Sequence, residues 1–155
     1  MRDKKVLFDQ LLDRVRETLD GPLERDEKLQ AVCRLLKDRV VYYDWVGFYL
    51  VDESKKALVL GPYAGKPTEH CNISFGSGIC GRAAEERKAL TVQDVSKETN
   101  YLSCDATVKS EIVIPVLKGS RIIGEIDIDS RSLSPFTGED TVFLEKICQG
   151  VSGLF

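Results

Sequence analysis

The sequence predicts an α+β fold, a mainly antiparallel sheet with N- and C-terminal helices packed on one face. Apolar residues recur at helical spacing near both ends of the chain, and between them the period becomes that of strands. No regular strand–helix–strand alternation appears, so no parallel crossovers are called for. At 155 residues the chain reads as a single domain over 1–155, able to bury roughly two-thirds of its unfolded surface. Residues 1–41 form its helical N-terminal part, 45–130 its sheet and loops, and 138–152 its C-terminal helix.

Leu7, Leu11, Val15 and Leu19 follow one another at spacings of four, widened by Phe8 and Leu12, which makes an amphipathic helix that Gly21-Pro22 ends. A second helix, from near Leu23 to about Val41, buries Leu29, Val32, Cys33, Leu36 and Val40. Trp45–Val51 and Ala57–Tyr63 are strands joined by the five polar residues Asp52–Lys56. Gly61-Pro62 and Gly65-Lys66-Pro67 are expected to break regular structure. Cys71–Phe75 is a short extended piece, Ile79–Arg87 a short helix, Leu90–Val92 a brief strand and Gln93–Asp105 a polar loop. The long strands Glu111–Leu117 and Arg121–Asp129 meet at the tight turn Lys118-Gly119-Ser120. Thr137 and Asp140 form a capping box that opens the last helix, whose apolar face carries Phe143, Ile147 and Val151.

Composition removes several function classes. Twenty-two basic residues face 25 acidic ones for a net charge of −3, and the basic residues do not cluster, which speaks against nucleic acid as a partner. The charged start and the lack of any apolar run near ~18 residues argue against a signal peptide or membrane span, so a cytoplasmic location is expected. Five cysteines, an odd number, suit a reducing compartment and core, metal or redox roles rather than a disulfide framework.

Cys33 and Cys148 fall on apolar helix faces and are expected in the core. Cys71, Cys80 and Cys104 sit on loops or element ends. A zinc site joining them to His70 has no C-x-x-C or H-x₃-H spacing to support it, and adjacent His70 and Cys71 share one ion poorly, so no metal is expected. Gly76-Ser-Gly-Ile-Cys-Gly81 spells G-x-G-x-x-G, but its strand is too short and its acidic residue too near for a dinucleotide site. The turn is expected instead to deliver Cys80 to a helix start, where backbone N–H groups lower a thiol's pKa. Tyr101–Pro115 runs from a polar loop bearing Cys104 into a strand bearing Glu111. On Arg121–Asp129 the acids Glu125, Asp127 and Asp129 alternate with Gly124, Ile126 and Ile128, leaving two readings. The acidic face is either solvated or a seat for an ammonium group or metal ion, with Trp45 and Tyr63 as aromatic walls.

Taken in order, Trp45–Leu50, Leu60–Lys66, Gly76–Gly81, Asp94-Val95, Cys104-Asp105, Ser110–Pro115, Gly124–Ser130 and Phe136–Asp140 resemble a GAF domain of the free methionine-(R)-sulfoxide reductase type over about residues 25 to 150. The resemblance implies a six-stranded antiparallel sheet, a homodimer and reduction of the R sulfoxide of free methionine. It implies Cys104 as nucleophile, Cys80 as principal resolving cysteine and Cys71 as the third cysteine. Glu111, Asp127 and Asp129 would line the substrate pocket with Trp45 and Tyr63. Four residues separate Lys66 from Cys71 where the family usually has two, and Tyr101 stands where His is common.

The implied chemistry is attack of the Cys104 thiolate on the sulfoxide, with Glu111 or Asp129 as acid, giving a sulfenic acid that Cys80 closes to a disulfide. An external dithiol such as thioredoxin reopens it, and no bound cofactor is required. The competing reading is a non-catalytic GAF module that binds a small molecule as a sensor.

Overall fold

The structure is a computed structural model that describes residues 3–99, 101 and 105–155. Its elements run α1 (Lys4–Asp20), α2 (Arg25–Arg39), β1 (Trp45–Asp52), β2 (Ala57–Ala64), β3 (Asn72–Ser74), α3 (Gly78–Glu86), β4 (Leu90–Val92), a 3₁₀ turn (Val95–Lys97), β5 (Ser110–Lys118), β6 (Arg121–Ser130) and α4 (Gly138–Ser152). The strands form one sheet in the order β3-β2-β1-β6-β5-β4, with every pairing antiparallel.

The two-residue period sorts side chains between two cores. Val46, Phe48, Ile112, Ile114, Val116, Ile126 and Ile128 share the larger one with α1, α2 and α4. Phe8 stacks on Phe143 at 4.2 Å between centroids, joining the first helix to the last. Cys33 and Cys148 lie in this core, as their helix positions predict. On the opposite face, Trp45, Tyr49 and Val113 pack with Ile79, Ala83 and Ala84 of α3. The N- and C-terminal helices thus hold one face, and α3 with the β2–β3 loops covers the other.

Three local expectations shift. α2 starts at Arg25 because Glu24 and Glu27 form a capping box there. β2 runs through Gly61-Pro62: Gly47 pairs with Tyr63 and Tyr49 with Leu60, so two residues of β2 face Phe48 alone. That bulge accommodates the proline without ending the strand. The β1–β2 loop has four residues, since Asp52 pairs with Ala57.

The capping box of α4 does more than start a helix. Buried Asp140 accepts hydrogen bonds from Tyr43 Oη at 2.7 Å, Tyr42 Oη at 2.8 Å, Lys4 Nζ at 2.8 Å and Thr137 N–H at 2.9 Å. One carboxylate therefore fastens α1, the α2–β1 connection and α4. Asp140→Ala strands the Tyr43 hydroxyl and the Lys4 charge and is expected to cost about 3 kcal/mol in urea unfolding. Tyr43→Phe, which removes one donor, is expected to cost about 1 kcal/mol.

Candidate functional site

Strand register builds the site in rows. β6 lies between β1 and β5, and Asp129 stands between Trp45 of β1 and Glu111 of β5. In the next row Asp127 stands between Gly47 and Val113, and in the third Glu125 between Tyr49 and Pro115. Glycine opposite Asp127 leaves room on the floor for the Trp45 ring, which a Cβ there would meet at 2.3 Å. α3 closes over the floor and brings Cys80, whose Sγ lies 3.6 Å from Glu111 Oε2. Trp45, Tyr49, His70, Cys80, Glu111, Asp127 and Asp129 line the resulting pocket, and no Lys or Arg among the described residues does so.

These acids are not on a solvated face. Exposure is 0% for Glu125, 3% for Asp129, 5% for Asp127 and 6% for Glu111. Of the two sequence readings, burial therefore removes the solvated face. Both oxygens of Glu125 and Oδ1 of Asp127 have no hydrogen-bond partner of normal geometry among the described residues. Burial, followed by the charge of Asp127, pushes the Glu125 carboxyl well above the usual range. Burial also raises Asp127, opposed by its contacts with Glu111 and Cys80 and by the charge of His70.

The expected acidification of Cys80 is reversed. Gly76-Ser77-Gly78 does deliver Cys80 to the first turn of α3, and Gly76 N–H donates to Gly81 O at 2.8 Å. A Cβ on Gly81 would stand 2.5 Å from Ser74 O, so the glycine pattern serves a close backbone approach. Yet burial first, then Asp127, Glu111, Glu125 and Asp129, push the Cys80 thiol well above its ordinary range. Partial charges at a helix terminus act over one turn, whereas desolvation and four carboxylates act together here. Cys80 rests as a thiol.

Trp45 forms the aromatic wall. Its ring stacks on Tyr63 at 5.5 Å and 18°, and Nε1 donates to Lys66 O at 2.9 Å. Tyr63 thus backs the wall, while Tyr49 lines the pocket and donates to His70 O at 2.9 Å. Cys71 is exposed, with its Sγ 3.8 Å from Thr68 O, and does not line the pocket. Cys104 lies outside the described residues. Asp105 beside it has its pKa held down to about 2, chiefly by Thr107 N–H and hydroxyl, and it pairs with Lys66 at 3.5 Å and Arg131 at 3.9 Å. Tyr49 is the site residue that sequence reading passed over, although it lies four positions from Trp45 on the same face of β1.

A GAF domain family model matches residues 22–154. The free methionine-R-sulfoxide reductase of Saccharomyces cerevisiae is 34% identical over 154 residues, 95% of this chain and 84% of its own. The chain belongs to the GAF-domain free methionine-R-sulfoxide reductase family. GAF domain-containing protein A of Dictyostelium discoideum is 38% identical over 144 residues, 93% of this chain and 89% of its own. Among solved structures, the free methionine-R-sulfoxide reductase of Neisseria meningitidis in complex with its substrate matches with a TM-score of 0.94. It is 30% identical and is matched over 100% of this chain and 92% of that one. The six-stranded antiparallel sheet implied by the family resemblance is the sheet observed here.

Within this family member, Trp45 is the chain's single tryptophan, so intrinsic emission reports on the pocket wall alone. A Cβ on Gly47 would lie 2.3 Å and 2.6 Å from two atoms of the Trp45 ring. Gly47→Ala is expected to push the ring outward, shifting its emission maximum to the red while far-UV circular dichroism holds. An unshifted maximum would mean that the strand, rather than the ring, absorbs the clash.

Proposed function

We propose that the protein reduces free methionine-R-sulfoxide to methionine. The carrying observation is the pocket in which three buried acids, Glu111, Asp127 and Asp129, and a thiol face an aromatic wall with no lysine or arginine among the described lining residues. Similarity to reductases of that name supports the same reading. A free amino acid brings an α-ammonium to Asp127 and lays its thioether chain along Trp45. A methionine within a peptide has no such charge, which gives selectivity for the free form.

In the proposed reaction the ammonium displaces the proton of Asp127 toward Glu111, which Asp127 contacts. The Cys104 thiolate attacks the sulfoxide sulfur while that proton goes to the sulfoxide oxygen, from Glu111 or from Asp129. The oxygen passes to Cys104 as a sulfenic acid, and methionine leaves with the electron pair. Lys66 and Arg131 offset the Asp105 charge that would otherwise oppose a neighbouring thiolate. The Cys80 thiol then gives its proton to Glu111, its sulfur attacks the Cys104 sulfur to form a disulfide, and Glu111 returns the proton to the leaving sulfenic oxygen, which departs as water. A thioredoxin-like dithiol reduces it, so no bound cofactor enters. Cys71 is the alternative resolving thiol. Pairing into a homodimer belongs to the same proposal, with half-exposed Val6 and Val142 as apolar residues for such a contact to cover. Light scattering reads the mass.

Cys104→Ser is expected to abolish methionine formation from racemic sulfoxide, and retained turnover would overturn the assignment. Cys80→Ser is expected to yield about one methionine per chain and then stop when thioredoxin is the reductant. Full turnover in that variant moves the resolving role to Cys71. Asp127→Asn should raise KM for the free amino acid at least tenfold, since a charge-assisted contact is lost. A sensor would instead bind the sulfoxide, visible in Trp45 emission, and release it unchanged.

A further inference from the structure

The pocket holds a set of metal-ligand atoms that strand register assembles and chain spacing hides. Cys80 Sγ, a Glu111 oxygen and an Asp127 oxygen all lie within 4.8 Å of one another, and all three residues are buried. Tetrahedral zinc, with bonds of about 2.3 Å to sulfur and about 2.0 Å to oxygen, sets its sulfur and oxygen ligands roughly 3.5 Å apart. Cys80 Sγ and Glu111 Oε2 already stand at 3.6 Å. Asp127 contacts both of them.

A second observation points the same way. Asp127 Oδ1 and both oxygens of Glu125, in side chains 5% and 0% exposed, have no hydrogen-bond partner among the described residues. Buried acids in that condition take up protons or a cation. A resting pocket has no substrate ammonium to supply it.

We propose that the resting protein binds a borderline-soft divalent cation, Zn²⁺ or Cd²⁺, through Cys80 Sγ and one oxygen each of Glu111 and Asp127, and that the cation competes with methionine sulfoxide. The thiolate selects against Mg²⁺ and Ca²⁺, which prefer all-oxygen sites with more ligands. Glu125 sits beside Cys80 and Asp127, behind the ligands. Three protein ligands leave a fourth position open toward the pocket. The bound cation occupies both the sulfur that closes the disulfide and the carboxylate that meets the ammonium. The competition rests on the reductase reading, whereas binding does not.

The test uses the full chain, reduced with a non-thiol phosphine and stripped of metal, in a Cys71→Ser/Cys104→Ser background that leaves, besides Cys80, only Cys33 and Cys148 of the main core. Competition with a chromogenic chelator is expected to show one Zn²⁺ per chain, displaced by Cd²⁺ and unaffected by Mg²⁺. Adding Cys80→Ser should weaken binding at least a hundredfold. Asp127→Asn should weaken it at least tenfold, with Trp45 emission and circular dichroism verifying the fold of each variant. No stoichiometric binding, or binding unchanged by both substitutions, overturns the site. In the wild type, Zn²⁺ should stop sulfoxide reduction and a chelator restore it. Turnover with chelator but no Zn²⁺ binding defeats this inference alone. Zn²⁺ binding without turnover under any condition defeats the reductase reading alone.

Discussion

Glu125, Asp127 and Asp129 occupy alternate positions of β6 on the covered face of the sheet, with Glu111 directly across from Asp129 on β5. Neighbours two apart on one face of a strand stand ~7 Å from each other. Two ionised carboxylates at that distance repel by about 2 kcal/mol at an effective dielectric constant of about 20. Desolvation adds several kcal/mol for each buried charge. The row cannot relax, because β6 is hydrogen-bonded on both sides, to β1 and to β5. It persists by taking up protons or a cation, and the rest of the site follows from that requirement.

Stability for such a face has to come from elsewhere. It comes from the opposite face of the same strands, where Ile126 and Ile128 share a core with Ile112, Ile114, Val46 and Phe48 beneath three helices. Register holds the two faces apart: a slip of one residue would send the isoleucines into the pocket and the acids into the main core. The Asp140 network fastens the outer helices with a buried carboxylate that has four donors, whereas Glu125 and Asp127 Oδ1 have no partner of normal geometry among the described residues. The chain therefore buries acids in two places, one a structural network beneath the outer helices and the other the floor of the pocket.

Much of this was legible in the sequence because it is periodic. The alternation in Arg121–Asp129 separates an acidic from an apolar face, and the helical spacings put Cys33 and Cys148 in the core. The alternation cannot say whether its acidic face meets water, since that depends on α3, which packs across it from another part of the chain. The same gap explains the reversed expectation for Cys80. A helix terminus is local and visible in sequence, while Glu111, 31 residues further on, reaches the thiol only through the fold. Gly61-Pro62 reads as a break because the bulge that absorbs it needs Phe48 as its partner. Four residues between Lys66 and Cys71 give no hint that Cys71 ends up exposed, outside the pocket.

The charges that suppress the Cys80 thiolate are also the ones that recruit a cation, and this couples binding to chemistry. Two causes hold the thiol neutral, burial and the surrounding acids, with burial the larger. An ammonium paired with Asp127 cancels part of the second cause and leaves the first untouched. Even with substrate bound, then, Cys80 remains a poor nucleophile toward the sulfoxide, which suits a thiol that acts second. Its sulfur needs a base at the moment it reacts, and Glu111 at 3.6 Å is the acceptor already in contact. In the proposed cycle the same carboxyl that gives a proton to the sulfoxide oxygen is then free to take one from Cys80.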